Sequence, residues 1–379
     1  MFFNISPTPD SNFPNSYPLS TGFLNCDNGW QQRGTSFVKG YADLGILENN
    51  ATGNFCIIED SGNSVQVLHN KNRSFPLRYS ADSVTNLYTG NKYKSVWADQ
   101  SLKVNSSGTV ELTPMPVDFK IPQGTLTTEQ AVDNIRSILT TDIENFYQYT
   151  SDHVNIFCSG GLDTLLSYSM LDYTNKPFTL LDYELVELDL FIMRNTDWLT
   201  DYWAYTQIHH WKDPTYFVTG SCGDEYFLRG PATVSLLCAW HGIDLEKLLY
   251  NSPDSYHTPY FFKEKNISIF QKDWDKRHYI KARFPTVELL HNHVIDMLVN
   301  DHQHWHLGNT ITWTPFKNIE IVKILLQLDI NDLIPQFLDA TITKSLINPK
   351  LLPTLSKYKN INRRENLNKL FEFDLNKIV

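Results

Sequence analysis

The segment Cys158-Ser159-Gly160-Gly161-Leu162-Asp163-Thr164 carries the residues best suited to chemistry. It follows an apolar run, His153 to Cys158, and leads into a helical one, Asp163 to Leu171. A strand that turns through glycines into a helix forms an anion site. Backbone N–H groups close on the anion where no Cβ intervenes, and the helix dipole adds favourable charge. The hydroxyls of Ser159 and Thr164 can donate to phosphate oxygens. Asp163 would repel a bare phosphate, so it calls for a cation between them, and Mg²⁺ suits hard oxygen ligands. Chance would produce Ser-Gly-Gly-x-Asp-Ser/Thr in a chain this long on the order of once per thousand. The structural alternative is a tight turn with Asp163 capping the helix.

A second loop repeats the logic. Tyr216 to Thr219 reads as a strand, and Thr219-Gly220-Ser221-Cys222-Gly223-Asp224-Glu225 follows it. Open α/β sheets bind ligands at such strand ends. Asp224 can share the cation with Asp163 and clamp a pyrophosphate. The alternatives are a solvated acidic loop and, for Glu225, an ion pair with Arg229. His302-Gln303-His304-Trp305-His306 and His291-x-His293 have spacing that can converge on zinc, but no Cys or HExxH pattern accompanies them. Polar surface or substrate contact is the expected role there, and a structural one for His209-His210. Tyr256, Tyr260, Phe261 and Phe262 read as core packing before cleft lining.

The elements that must position these loops alternate. Thr127-x-x-Gln130 is a capping box, and Val132, Ile135, Leu139, Ile143 and Phe146 recur behind it, so 128–149 is a helix. Strands at 153–158, 178–182 and 216–219, with helices from 163 and over 197–210, predict a parallel sheet covered by helices. From 232 onward the pattern is mostly helical. Earlier, 1–30 reads as loop, and 54–59 with 64–69 as a hairpin about Asp60 to Asn63. Short strand-like pieces follow at 84–88, 95–97 and 109–112. Thr113 to Pro116, with Pro122 to Gly124, reads as a linker. The expected domains are 1–120, β-rich, and 121–379, α/β.

Composition bounds the function. The 379 residues are 41% hydrophobic, 20% charged and 13% aromatic, which predicts a globular chain with large cores. A net charge of −10 argues against a broad nucleic-acid-binding face. No apolar run is long enough for a membrane span. Met1-Phe2-Phe3-Asn4 lacks the basic start of a secretory leader. Five Cys without a close pair fit a reducing, cytoplasmic setting.

Ser159 to Thr164 resembles the pyrophosphate loop of N-type ATP pyrophosphatases. Thr219 to Glu225 is similar to the Asp-Glu-ending motif of the asparagine synthetase and β-lactam synthetase superfamily. Gly53 to Asp60 and Asn72 to Tyr79 resemble that superfamily's glutaminase domain. Thr314-Pro315-Phe316-Lys317-Asn318 resembles its Pro-Phe-Leu-Asp turn, and Thr343-Lys344 with Leu352-Pro353 to Lys359 its C-terminal segment. The resemblance implies an N-terminal domain like the Ntn hydrolases and a C-terminal synthetase domain like the adenine nucleotide α hydrolases, ending in helices. The family's glutaminase uses a Cys at position 2. Phe2 stands there, no Cys occurs before Cys26, and a silent first domain is expected, as in β-lactam synthetases and lasso-peptide cyclases.

The implied activity is ATP-dependent, AMP-forming amide-bond formation. A small-molecule or peptide carboxylate is adenylated and passed to ammonia or another amine, asparagine synthetase-like but without glutamine hydrolysis. Ser159, Gly160, Gly161, Leu162, Asp163, Thr164, Gly220 and Gly223 would bind the nucleotide, with the adenine near Leu180 to Asp182 and hence Leu181. Asp163 and Asp224 would hold Mg²⁺. Lys344, Lys357 or Lys359 would neutralise the transition state, and Glu225 would act as general base. Two other readings fit: a silent binding protein, and an enzyme adenylating a nucleobase carbonyl. A homodimer stays open.

Overall fold

The computed structural model describes residues 3–42, 53–69, 77–81, 83–85, 94–96, 100–114, 121, 125–149, 154–157, 161–181, 215–218, 220, 222–301 and 310–355. The chain is a mixed α/β protein. Its first part is built of strands: β1 (Phe3–Ser6), β2 (Asn15–Leu19), β3 (Gly22–Cys26), β4 (Gln31–Arg33), β5 (Ser36–Ala42), β6 (Gly53–Asp60), β7 (Ser64–His69), β8 (Arg78–Tyr79), β9 (Val84–Thr85), β10 (Lys94–Ser95), β11 (Gln100–Asn105) and β12 (Val110–Pro114). They form two antiparallel sheets, ordered β10-β8-β9-β1-β3-β2 and β12-β11-β7-β6-β5-β4. The expected hairpin is β6–β7, closed by Ser61 N–H donating to Ser64 O at 3.0 Å. Gly62 takes φ +82 in that turn, a region an L side chain resists.

Within 3–30 the described residues are not all loop. They supply β1, β2 and β3, and Phe3, Ile5, Leu24 and Cys26 are buried. Pro, Ser and Asn hid a period-2 alternation only four or five residues long. Asn25 explains why a polar residue belongs here. Its side chain accepts from Asp10 N–H (2.9 Å) and the Ser16 hydroxyl (2.8 Å), and donates to Ser6 Oγ (2.9 Å). Thr113 and Pro114, read as linker, close β12.

The capping box starts α1 (Thr128–Tyr149). Gln130 N–H donates to Thr127 Oγ1 at 3.2 Å, and Thr127 N–H to Gln130 Oε1 at 3.0 Å. Ile135, Leu139 and Ile143 are fully buried, as their spacing required. Next come β13 (Val154–Phe157), α2 (Leu162–Thr174), β14 (Phe178–Leu181), β15 (Thr215–Val218), α3 (Gly223–Tyr226), α4 (Pro231–His241), α5 (Leu245–Tyr250), α6 (Thr258–Phe261), α7 (Glu264–Asp275), α8 (Arg277–Arg283), α9 (Val287–Asp301), β16 (Thr310–Trp313), α10 (Ile319–Leu325), α11 (Ile330–Asp339) and α12 (Thr341–Leu346). The expected parallel sheet is present, ordered β14-β13-β15-β16. Its fourth strand, β16, interrupts the region expected to be helical. Thr310-Ile311-Thr312-Trp313 is β-branched and aromatic, but too short to stand out between helices.

Buried apolar side chains sort into two clusters, one drawn from 3–104 and the other from 131–351. Among the described residues no helix is long and apolar enough to cross a membrane. The helix expected over 197–210 and the His302 to His306 run lie outside the described residues. So do Cys158, Ser159, Gly160, Asp182, Ser221, Lys357 and Lys359.

Thr127→Ala removes one half of a reciprocal cap and should lower stability by about 1 kcal/mol. Ile135→Ala should cost more, about 2–5 kcal/mol, because it empties part of the core. Urea unfolding of both variants measures the difference.

Candidate active site

Strands β13 and β15 are parallel neighbours, paired Asn155 to Phe217 and Ile156 to Val218. Their carboxyl ends therefore deliver Gly161 to Thr164 and Gly220 to Glu225 side by side. The fit is close. A Cβ built on Gly220 would stand 2.7 Å from Thr164 N, and one on Gly223 would overlap the Asp163 carboxylate. Only glycine lets these backbones approach so near. Gly161, with extended backbone, is the N-cap of α2, and no side chain caps that helix. Asp163 is thus in the first turn, and the capping alternative does not hold. Leu162 is buried in the second core, and Leu181 ends β14 opposite Phe157. The Thr164 hydroxyl donates to Gly161 O at 3.1 Å.

Asp163 and Asp224 meet on one guanidinium. Arg229 has 0% exposure; its Nη2 donates to Asp163 Oδ1, and its Nη1 lies 3.1 Å from Asp224 Oδ1. The pairing considered between Glu225 and Arg229 is therefore replaced by pairing with both aspartates. The local backbone explains it. Leu228 adopts φ +53, and Arg229 N–H donates to Asp224 O at 2.5 Å, which folds Arg229 back over Asp224. Glu225 is half-buried, and its carboxylate makes no ion pair among the described residues.

Behind Arg229 sits fully buried His257. Its Nε2 lies 3.2 Å from Arg229 Nη1, and its Nδ1 3.0 Å from Phe337 O. The guanidinium can only donate, so Nε2 accepts and the ring proton is on Nδ1. Burial, then the Arg229 charge, hold His257 well below its ordinary value, so it is neutral.

Two further residues join the site: Tyr256, expected from the sequence to pack in the core, and Gln336, which no sequence feature marks. The Tyr256 hydroxyl hydrogen-bonds the Leu162 backbone at the start of α2, and Lys344 Nζ lies 4.8 Å from the Tyr256 ring centroid. Gln336 Nε2 donates to Phe227 O and Thr343 Oγ1, both at 3.0 Å, while Oε1 accepts from Ile342 N–H at 2.9 Å. Buried Gln336 thereby ties the Lys344 helix to the turn that carries Asp224. No local motif marks His257, Tyr256 or Gln336, because each acts across a long stretch of chain.

Burial pushes Asp224 up to about 7; Asp163 and Glu225 add to this, and Arg229 opposes it. Burial also raises Asp163, again against Arg229. Asp163 Oδ1 accepts from Arg229, Asp224 Oδ1 faces it as an ion pair, and each side chain keeps 22% exposure. Two hard oxygens beside a helix N-terminus suit Mg²⁺ shared with phosphates. Among the described residues no three His, Cys, Asp or Glu gather to hold a metal unaided. His293 stacks on Phe284 at 4.8 Å instead of joining His291. In the first sheets, Cys26 and Cys56 are fully buried, and burial pushes the Cys26 thiol up to about 12.

No protein-family model matches the chain, and no curated protein does. Among solved structures, glutamine phosphoribosylpyrophosphate amidotransferase from B. subtilis, complexed with ADP and GMP, is similar at 12% identity with a TM-score of 0.16. The match covers 49% of this chain and 44% of that one, so the chain spans less than half of that protein. So loose a superposition says nothing about what this chain binds.

The raised Asp224 value has a signed consequence. Between its ordinary 3.8 and about 7 the folded state holds more proton than the unfolded one. Stability therefore falls as pH rises through that window. Urea midpoints from pH 4 to 7 should show this decline, flattened in Asp224→Asn. Gly223→Ala should destabilise by about 1–3 kcal/mol, the usual range for overpacking.

Proposed function

We propose that the chain is an ATP-dependent, AMP-forming carbon–nitrogen ligase. The observation that carries this reading is the meeting of Asp163 and Asp224 on Arg229, beside the N-terminus of α2. Ser159, Gly160, Gly161 and Thr164 would hold the pyrophosphate of ATP, with Gly220 and Gly223 giving room for the close approach. Asp163 and Asp224 would hold Mg²⁺, which supplies charge neutralisation on the departing pyrophosphate.

A substrate carboxylate oxygen attacks the α-phosphorus, and the bond to pyrophosphate breaks. An amine then attacks the acyl carbon, AMP leaves, and the amine proton passes to a base. Lys344 is our choice for the transition-state cation, because it rests on Tyr256, whose hydroxyl reaches the first turn of α2. Half-buried Glu225, beside Asp224, is our choice for the base.

The β-rich first part is read as a silent glutaminase-like domain of the Ntn type. Phe2 stands where that family places its nucleophile, and the buried, high-pKa thiol of Cys26 is no substitute. The amine is then ammonia or another free amine, and the site of action the cytoplasm.

Incubation with ATP, Mg²⁺, ammonium and a panel of carboxylates including aspartate should release pyrophosphate. Asp163→Ala should abolish release, and Lys344→Ala should lower kcat by about 10²–10³, the usual cost of removing one such electrostatic contact. Wild-type rates in Asp224→Ala refute the shared cation. No nucleotide binding by calorimetry favours the silent reading.

A further inference from the structure

We propose that Arg229 makes cation binding at the Asp163–Asp224 pair depend on a polyphosphate, so that the site takes a divalent ion only together with its nucleotide. The inference rests on the ligase reading, because it needs both aspartates to be protein ligands of the ion.

Charge and ligand count carry it. The two aspartates and the guanidinium leave a single net negative charge when both acids are ionised; Glu225 next to them adds to the repulsion on Asp224. Arg229 does not step aside to restore the second charge. It has no exposed surface, its backbone N–H is fixed on Asp224 O, and His257 holds Nη1 from behind. Nor can it lose its proton. Its Nη2 donates to Asp163 Oδ1 and its Nη1 stands 3.1 Å from Asp224 Oδ1, so a cation already faces both acids, and no group of three acidic, thiol or imidazole ligands gathers there among the described residues.

Mg²⁺ demands six ligands and surrenders water reluctantly, so such a site alone holds it weakly. Phosphate oxygens supply both the missing ligands and the missing charge. His257 is then a positioning residue, since it aims the guanidinium without touching ion or nucleotide.

Mn²⁺ replaces Mg²⁺ as the probe, and free Mn²⁺ is counted by paramagnetic resonance, with and without an ATP analogue whose phosphate bridge cannot be cleaved. Wild type should hold Mn²⁺ at least about tenfold more tightly with the analogue present. Arg229→Met should tighten Mn²⁺ alone by about tenfold or more, with little left for the analogue to add. Arg229→Lys keeps the charge and should keep the dependence.

If Arg229→Met does not fold without metal, its circular dichroism should recover on adding Mn²⁺ alone. Failure to recover overturns the inference. So does Mn²⁺ binding to folded Arg229→Met no tighter than to wild type, or wild-type binding indifferent to the analogue. If the analogue binds neither wild type nor any variant, the ligase reading itself fails. If it binds wild type while Arg229→Met and Arg229→Lys behave alike, only the role of Arg229 fails.

Discussion

A guanidinium with no exposed surface gripping carboxylates from two separate loops constrains everything around it. Taking such charges from water costs several kcal/mol per ion, recovered only with good geometry and further hydrogen bonds. The chain meets that condition step by step. Gly223 removes the Cβ that would overlap Asp163, and Gly220 does the same against Thr164. Leu228 takes a left-handed backbone so that Arg229 can turn back. His257 stays neutral and offers a lone pair to Nη1, and Phe337 O fixes its tautomer. A protonated imidazole in that place would set two cations against each other in the core.

The same network reaches well beyond the sheet edge. His257 N–H donates to Leu338 O at 2.8 Å, and Tyr256 N–H to Asp339 Oδ1 at 2.9 Å, so 256–257 is laced to the end of α11. Gln336, from that helix, accepts the first-turn N–H of Ile342, where Ala340 supplies no side-chain cap. Lys344 therefore takes its position from residues bonded to the acidic loops rather than from its own short helix. Such support matters for a lysine, because a long flexible side chain gives little geometric precision by itself.

Legibility in the sequence follows the range of the interactions. The capping box, the helix over 128–149 and the hairpin about Gly62 are set by residues within a few positions of each other. Those were readable. Strands β1 to β3 are hidden in the sequence because Asn25 looks like a turn residue until the partners of its side chain are known. Strand β16 is only four residues long and gains its identity from pairing with β15. Sequence proximity offers Glu225 as one partner for Arg229, whereas the structure pairs Arg229 with Asp163 and Asp224. The deciding features are a left-handed Leu228 and an aspartate 66 residues away. Tyr256, His257 and Gln336 carry no motif at all.

The first part of the chain bears on where an amine would come from. Its two sheets share one core, and Asp60 of the second sheet accepts from Ser20 N–H (2.6 Å) and Ser20 Oγ (2.5 Å), beside the turn joining β2 to β3 in the first. Cys26 and Cys56 lie within that core as apolar groups, with thiols that burial keeps protonated. A protonated, enclosed thiol neither attacks an amide nor releases ammonia. An amine liberated inside the molecule would need a sealed route to the sheet edge, whereas one arriving from solvent needs only an opening beside the acids. Asp163 and Asp224 each keep 22% side-chain exposure, and Glu225 next to Asp224 is half-buried. On the proposed ligase reading, an amine from solvent is the simpler source.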